Sequence, residues 1–214
     1  NFGDAYAGYI SKRMGLPINK IIVATNKNDI LDRVFKTGVY KSDNVSKTLS
    51  PSMDIQVASN FERLLFDLLN NDTKEVRKLM DNLSNKGHFN LEKRILTRLS
   101  KDFDSRAVTD NDTIATINHF YNEKEIVLCP HSAIGVRVAK DFIDTGETVV
   151  SLGTAHPAKF KETVESALEG SIPIPPALKI IMEKQESVRV IPPNKHKVAE
   201  EIRKSYLKEN WALR

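Results

Sequence analysis

The sequence predicts an α/β protein, a three-layer sheet with helices on both faces, followed by a helical carboxyl-terminal appendage. Three observations predict it. Lys20-Ile21-Ile22-Val23-Ala24-Thr25 is a β-branched, nearly unbroken apolar run, the pattern of a strand covered on both faces. It follows a helical stretch that stops at Gly15-Leu16-Pro17, so helix, short loop and buried strand come in quick succession. A second such run, Thr148 to Leu152, again leads into a helix, and strongly amphipathic segments fill the interval.

Taken in order, Asn1-Phe2-Gly3-Asp4-Ala5-Tyr6-Ala7-Gly8 turns from loop into helix, with Asp4 as its expected N-cap and the helix running from about Asp4 to Met14. One or two helical turns are expected over Asp29 to Phe35. Thr37 to Pro51 is a long polar loop, a kind that in compact domains often carries function. Asn60 to Leu69 places Phe61, Leu64, Leu65, Leu68 and Leu69 on one helical stripe. Thr73 to Leu83, Leu91 to Phe103 and Asp110 to Tyr121 are further helices. Glu125 to Cys129 is expected as a short strand, and Pro130-His131 opens a helix to about Ile143. After Thr148–Leu152, Gly153-Thr154-Ala155-His156-Pro157 leads into a helix over Ala158 to Leu168. From Gly170 onward come several prolines, a short helix, the extended Val188-Arg189-Val190 and a final helix to Trp211.

Composition narrows the function classes. The 214 residues, 40% hydrophobic and 28% charged, suffice for a real core. A single Cys excludes a disulfide framework within the chain and suits a reducing, cytoplasmic setting. No segment approaches the roughly 18 unbroken apolar residues of a membrane span. The net charge is +4, but the 32 basic and 28 acidic side chains are interspersed, which argues against a nucleic-acid face. The five His and lone Cys129 show no metal-ligand spacing, and Cys129 and His131 flank Pro130 too closely to bridge an ion. There is no initiator Met, and the first residue already stands in what reads as a working loop, so an upstream segment is expected.

Chemistry is expected at three junctions where a loop meets a helix start. The backbone N–H groups of a first helical turn, with the positive end of its dipole, hold anions, and Gly3 lets the backbone come close to one. The same pattern also serves an ordinary loop-to-helix start. Leu152-Gly153-Thr154 offers a hydroxyl just beyond an apolar run, and Cys129-Pro130-His131 is the third junction; both patterns also occur as plain turn chemistry.

Five motifs add a resemblance. Asn1-Phe2-Gly3-Asp4 with Ala7-Gly8, Pro51-Ser52-Met53-Asp54-Ile55, Ser59-Asn60-Phe61-Glu62-Arg63-Leu64, Pro130-His131-Ser132-Ala133-Ile134-Gly135 and Gly153-Thr154-Ala155-His156-Pro157-Ala158-Lys159-Phe160 together resemble the threonine synthase family. That family comprises pyridoxal 5'-phosphate enzymes of fold type II, the tryptophan-synthase-β-like fold. The resemblance implies the carboxyl-terminal portion of such an enzyme. Residues 1–169 would be part of its large cofactor-binding α/β domain, with a helical insertion at about 60–103, and 170–214 an extension packed on it.

The resemblance further implies a carbon–oxygen lyase acting on phosphates, converting O-phospho-L-homoserine and water to L-threonine and phosphate in the last step of threonine biosynthesis. Asn1, Phe2, Gly3 and Asp4 match the loop that holds the cofactor phosphate, and Thr154 matches the hydroxyl facing the pyridine nitrogen. Asn60 and Arg63 lie in a motif on the substrate side; helix-capping and surface roles serve them equally well. Where Cys129 stands the family often has an acidic residue, and where Ser132 stands, often Thr. The Schiff-base lysine belongs to an amino-terminal segment, in a Phe-Lys-Asp setting not found here, so no catalytic residue is assigned within this chain. Phe160-Lys161-Glu162 is a lookalike that starts a helix. The fragment alone is expected to be inactive, its partner being the amino-terminal part of the same polypeptide, and the whole a monomer or homodimer. A phospholyase of the same fold and a non-catalytic phosphate- or nucleotide-binding module are the alternative readings.

Overall fold

The computed structural model describes residues 2–208; Asn1 and residues 209–214 lie outside the described residues. The chain divides into two units, one up to Pro173 and one from Ile174.

The first unit is built around β1 (Ile21–Thr25) and β4 (Phe103–Ala107), which pair in parallel from Ile21 opposite Phe103 to Thr25 opposite Ala107. Alternate residues of β1 serve opposite faces, as the pleat requires. Ile21 and Val23 join a large core with Phe103, built on α1 (Gly3–Arg13), α2 (Ile30–Thr37), α3 (Phe61–Leu68) and α5 (Lys93–Asp102). Ile22 and Ala24 turn the other way and pack with Ile134 and Val138 of α7 (Pro130–Ala139). Helices therefore cover both faces of this pair, the α/β layering expected from the sequence. The α3 stripe falls as its spacing predicts: Phe61, Leu64, Leu65 and Leu68 are all buried.

The remaining elements close the unit. A second pair, β2 (Val39–Lys41) and β3 (His88–Asn90), runs antiparallel. Between them stands α4 (Thr73–Lys86), whose N-cap Asp72 accepts the Lys74 and Glu75 N–H groups at 2.9 and 3.2 Å. Ile117 of α6 (Asp110–Lys124) is fully buried with Ala133 of α7 and Ala167 of α8 (Lys161–Leu168) in a smaller core. The second unit carries α9 (Pro176–Met182) and α10 (Lys195–Lys208), the latter bearing Glu201, which pairs with Arg189 at 2.6 Å.

Three expectations are corrected. Glu125–Cys129 forms no strand: Glu125 takes φ 54 as the C-cap of α6 and Cys129 is the N-cap of α7, so only three residues remain between two helix ends. Thr148–Leu152 forms no strand either. A β-branched run favours extended backbone, but a strand also needs a neighbour's N–H and C=O groups, and among the described residues none pairs with it; Val150 and Leu152 are 77% and 58% exposed. The α1 N-cap is Phe2, not Asp4. Phe2 holds a left-handed φ of 66, and burial of its ring against Phe35, Phe61 and Phe103 fixes it there. Asp4 sits within the first turn, where its charge complements the dipole.

Candidate functional site

The five motifs fold into two clusters. In the first, the start of α1 meets the start of α3. Tyr6 N–H is the first to find a partner in the chain turn, the Phe2 carbonyl at 3.0 Å, and no side chain caps the helix among the described residues. The N–H groups of the first turn are thus left as donors at the positive end of the dipole. A Cβ built on Gly3 would lie 3.5 Å from Asn60 Nδ2, so the Asn60 amide stands beside this turn. Arg63, one turn further along α3, is exposed and lines a groove of about 590 Å³ with Tyr6, Ser59, Glu62 and Arg77.

The second cluster gathers around the start of α7, where Pro130 fills the first helical position, for which its missing N–H costs nothing. Cys129 Sγ caps the helix by accepting the Ser132 N–H at 3.4 Å. Thr154 N–H donates to Ser132 Oγ at 3.0 Å, which ties the loop after Leu152 to the helix. The Thr154 hydroxyl lies 3.1 Å from Ser132 Oγ and 3.4 Å from Cys129 Sγ. His131 is buried, with Nε2 accepting the Ser52 N–H at 3.1 Å and its ring 4.4 Å from that of Phe160. His156 caps the turn over Pro157–Phe160, its Nδ1 accepting the Ala158 N–H at 3.1 Å. The motifs at 51–55, 130–135 and 153–160 therefore meet at one place.

This place is joined to the carboxyl end of β1. Asn26 and Asn28, just past the strand, donate to Asp54 Oδ1 at 2.8 and 2.9 Å, and so hold the turn that carries Ser52. Cys129 itself is 1% exposed. Burial pushes its thiol pKa up, but its polar neighbours His131, Ser132 and Thr154 outweigh that and bring it down to about 6.

Of the residues singled out from the sequence, Gly3 and Asn60 are adjacent, Phe2 and Asp4 belong to the same helix start, and Arg63 faces the neighbouring groove. Thr154 belongs to the second cluster. Asn1 lies outside the described residues. What the sequence reasoning missed is that Cys129 and Ser132 surround Thr154. The pattern of a cap residue, Pro and then a hydroxyl at the third helical position was the available signal.

The family model "Threonine synthase, C-terminal" matches residues 132–202. Threonine synthase of Pseudomonas aeruginosa is 46% identical over 194 residues, 90% of this chain and 41% of that protein. The crystal structure of threonine synthase from Brucella melitensis with pyridoxal phosphate bound superposes with a TM-score of 0.82 at 41% identity, over 95% of this chain and 44% of that one. The structure of threonine synthase from yeast gives 0.82 at 37% identity, over 97% and 46%. The chain thus spans about two fifths of the length of the relatives it matches. On its motifs, its fold and these similarities, the chain belongs to the threonine synthase family.

Proposed function

We propose that this chain forms one side of a pyridoxal phosphate site in a protein that converts O-phospho-L-homoserine and water to L-threonine and phosphate. The observation that carries the reading is the start of α1. Its first-turn N–H groups are uncapped, Gly3 leaves the backbone open beside Asn60, and the dipole adds positive potential. Such a donor set fits a phosphate dianion. Asp4 contributes its backbone N–H, since its carboxylate is exposed to solvent.

Pyridoxal phosphate, when bound, supplies an electron sink that stabilises negative charge on substrate carbon. The residues of this chain bind and orient. Phe2, Gly3 and Asp4, with Asn1, hold the phosphate end. Thr154 holds the pyridine nitrogen with a neutral hydroxyl rather than a charge, and its own N–H, bonded to Ser132, fixes the loop that presents it. Asn60 and Arg63 face the substrate side, where the Arg63 guanidinium draws an anionic group. The 214 residues by themselves turn over no substrate, because none of their lysines stands in a Phe-Lys-Asp setting. Lys159 and Lys161 belong instead to the turn and helix that follow His156.

The test uses the whole protein that carries this chain, loaded with pyridoxal phosphate and given O-phospho-L-homoserine. Threonine and phosphate in equal amounts are expected. Phosphate accompanied by a keto acid, with no threonine, overturns the hydration step in favour of a phospholyase.

A further inference from the structure

We propose that Cys129 is a positioning residue for Thr154: its thiol, the Ser132 hydroxyl and the Thr154 hydroxyl form a proton relay that decides whether Thr154 donates or accepts at the cofactor ring nitrogen. The proposal rests on the reading of Thr154 given above. The three groups form a closed triangle, with Cys129 Sγ to Ser132 Oγ at 3.3 Å, Ser132 Oγ to Thr154 Oγ1 at 3.1 Å and Thr154 Oγ1 to Cys129 Sγ at 3.4 Å. Two backbone donors set the count of lone pairs. Thr154 N–H occupies one on Ser132 Oγ, and Ser132 N–H occupies one on Cys129 Sγ.

Counting protons leaves two arrangements. With the thiol protonated, S–H donates to Ser132 Oγ and fills its second lone pair. The Ser132 hydroxyl then donates to Thr154 Oγ1, and the Thr154 proton is directed outward as a donor to an unprotonated ring nitrogen. In the other arrangement each proton moves one place. The S–H bond breaks and its proton passes to Ser132 Oγ, the Ser132 proton passes to Thr154 Oγ1, and the Thr154 proton passes to the ring nitrogen. A thiolate and a protonated ring result, with no change in total charge. Thr154 then donates inward to Ser132 and offers a lone pair to the ring N–H.

The surroundings make the second arrangement accessible. The thiol sits at the start of α7, where the dipole favours negative charge, and it accepts a helix N–H. Its polar neighbours, His131, Ser132 and Thr154, bring its pKa down to about 6 against the opposing effect of burial. The titratable group facing it is His131, whose Nε2 accepts from Ser52 and whose buried Nδ1 has no hydrogen-bond partner. Further out, His156 is engaged at Nδ1 by the Ala158 N–H. A neutral hydroxyl partner for the ring nitrogen thereby acquires a reservoir of negative charge behind it.

The experiment uses the whole protein with pyridoxal phosphate labelled with nitrogen-15 in the ring. Ring-nitrogen protonation is followed by NMR, and the Cys129 S–H stretch by infrared difference against Cys129→Ser. At pH 5, below the thiol pKa of about 6, adding the cofactor to the wild type is expected to weaken the S–H band as the ring nitrogen gains proton character. In Cys129→Ser, whose hydroxyl does not ionise in this range, the ring nitrogen should shift to the unprotonated position and lose its pH dependence. Thr154→Val should break the link between the two signals. Identical ring-nitrogen signals in wild type and Cys129→Ser, both loaded with cofactor, overturn the relay and leave the placing of Thr154 intact. A ring-nitrogen signal unchanged by Thr154→Val overturns that placing, and the relay with it.

Discussion

Asn26, at the end of β1, donates its side-chain amide to Asp54 Oδ1 at 2.8 Å, and the same oxygen accepts Asn28 Nδ2 at 2.9 Å and the Thr48 hydroxyl at 2.6 Å. Asp54 Oδ2 accepts the Thr48 N–H at 2.9 Å. Asn26 and Asn28 are buried, but each amide keeps a further acceptor, Ser50 Oγ at 2.9 Å for Asn26 and the Ser46 carbonyl at 2.8 Å for Asn28. The donor left without its acceptor is the Thr48 N–H, and such a loss costs about 1–3 kcal/mol. Asp54→Ala is therefore expected to lower the unfolding free energy by about 1–3 kcal/mol, read as a lower urea midpoint at unchanged slope. A loss under about 1 kcal/mol would mean that the network relaxes onto other acceptors.

Two glycines at helix ends separate backbone strain from crowding. Gly38 and Gly87 end α2 and α4 with φ of 76 and 74, and each donates its N–H back to the helix. A Cβ on Gly87 meets nothing within 4 Å. One on Gly38 lies 3.4 Å from the Leu91 carbonyl oxygen and 3.5 Å from Leu96 Cδ2. Gly87→Ala should cost only the left-handed conformation, about 1 kcal/mol. Gly38→Ala should cost more, because Leu91 N–H also bonds the Gly38 carbonyl at 2.8 Å and holds that backbone in place. Equal losses in thermal unfolding would show that crowding at Gly38 carries no weight.

How far the sequence discloses this structure differs from element to element. The α3 stripe and the apolar run of β1 are visible because one residue type occupies each buried position. The other half of the parallel pair is not. β4 reads Phe-Asp-Ser-Arg-Ala, and its central buried position is Ser105, whose hydroxyl donates to Asp32 on α2 at 2.8 Å. A polar residue satisfied across 73 positions gives no apolar alternation to find. The reverse error befell Thr148–Leu152, where propensity for extended chain is plain and the pairing that would make it a strand is a property of some other segment. At the candidate site, the motifs are visible in the sequence, but the contact of Thr154 with Cys129 and Ser132 spans more than 20 positions and depends on how α7 packs.

Tyr40 links stability to alkaline pH. Its ring stacks on Phe61 and Phe89, and its hydroxyl accepts the Ala58 N–H at 2.8 Å. Burial pushes the phenol pKa up, against the smaller opposing pull of that Ala58 N–H. The neutral form is thus the one the fold prefers. Its contribution is complete below the unfolded value of about 10 and is lost as pH rises through the higher folded value. At pH 7 Tyr40→Phe should cost about 1–2 kcal/mol by leaving the Ala58 N–H without its acceptor. Above pH 10 the gap between wild type and variant should narrow, since only the wild type must ionise this phenol. Unfolding curves whose separation stays constant from pH 7 to 11 would contradict it.

Phe2 joins the fold to the proposed cofactor site. Its ring is 5% exposed and lies 5.6 Å from Phe61, edge-on, and 5.8 Å from Phe103, so it fastens the uncapped start of α1 to the main core. Phe2→Ala retains the left-handed backbone and removes the ring, at an expected cost of about 3–5 kcal/mol. The N–H donors that follow then lose their fixed direction, and with it their preorganisation for an anion. Affinity for pyridoxal phosphate in the whole protein should fall about tenfold or more, or about 1.4 kcal/mol. Phe2→Leu, which refills much of the space, should recover most of the stability and of the affinity together. If Phe2→Ala is destabilised as expected while cofactor affinity is unchanged at a temperature where it remains folded, the phosphate is held elsewhere. The assignment of residues 1–4 would then fail, although the core reading of Phe2 would stand.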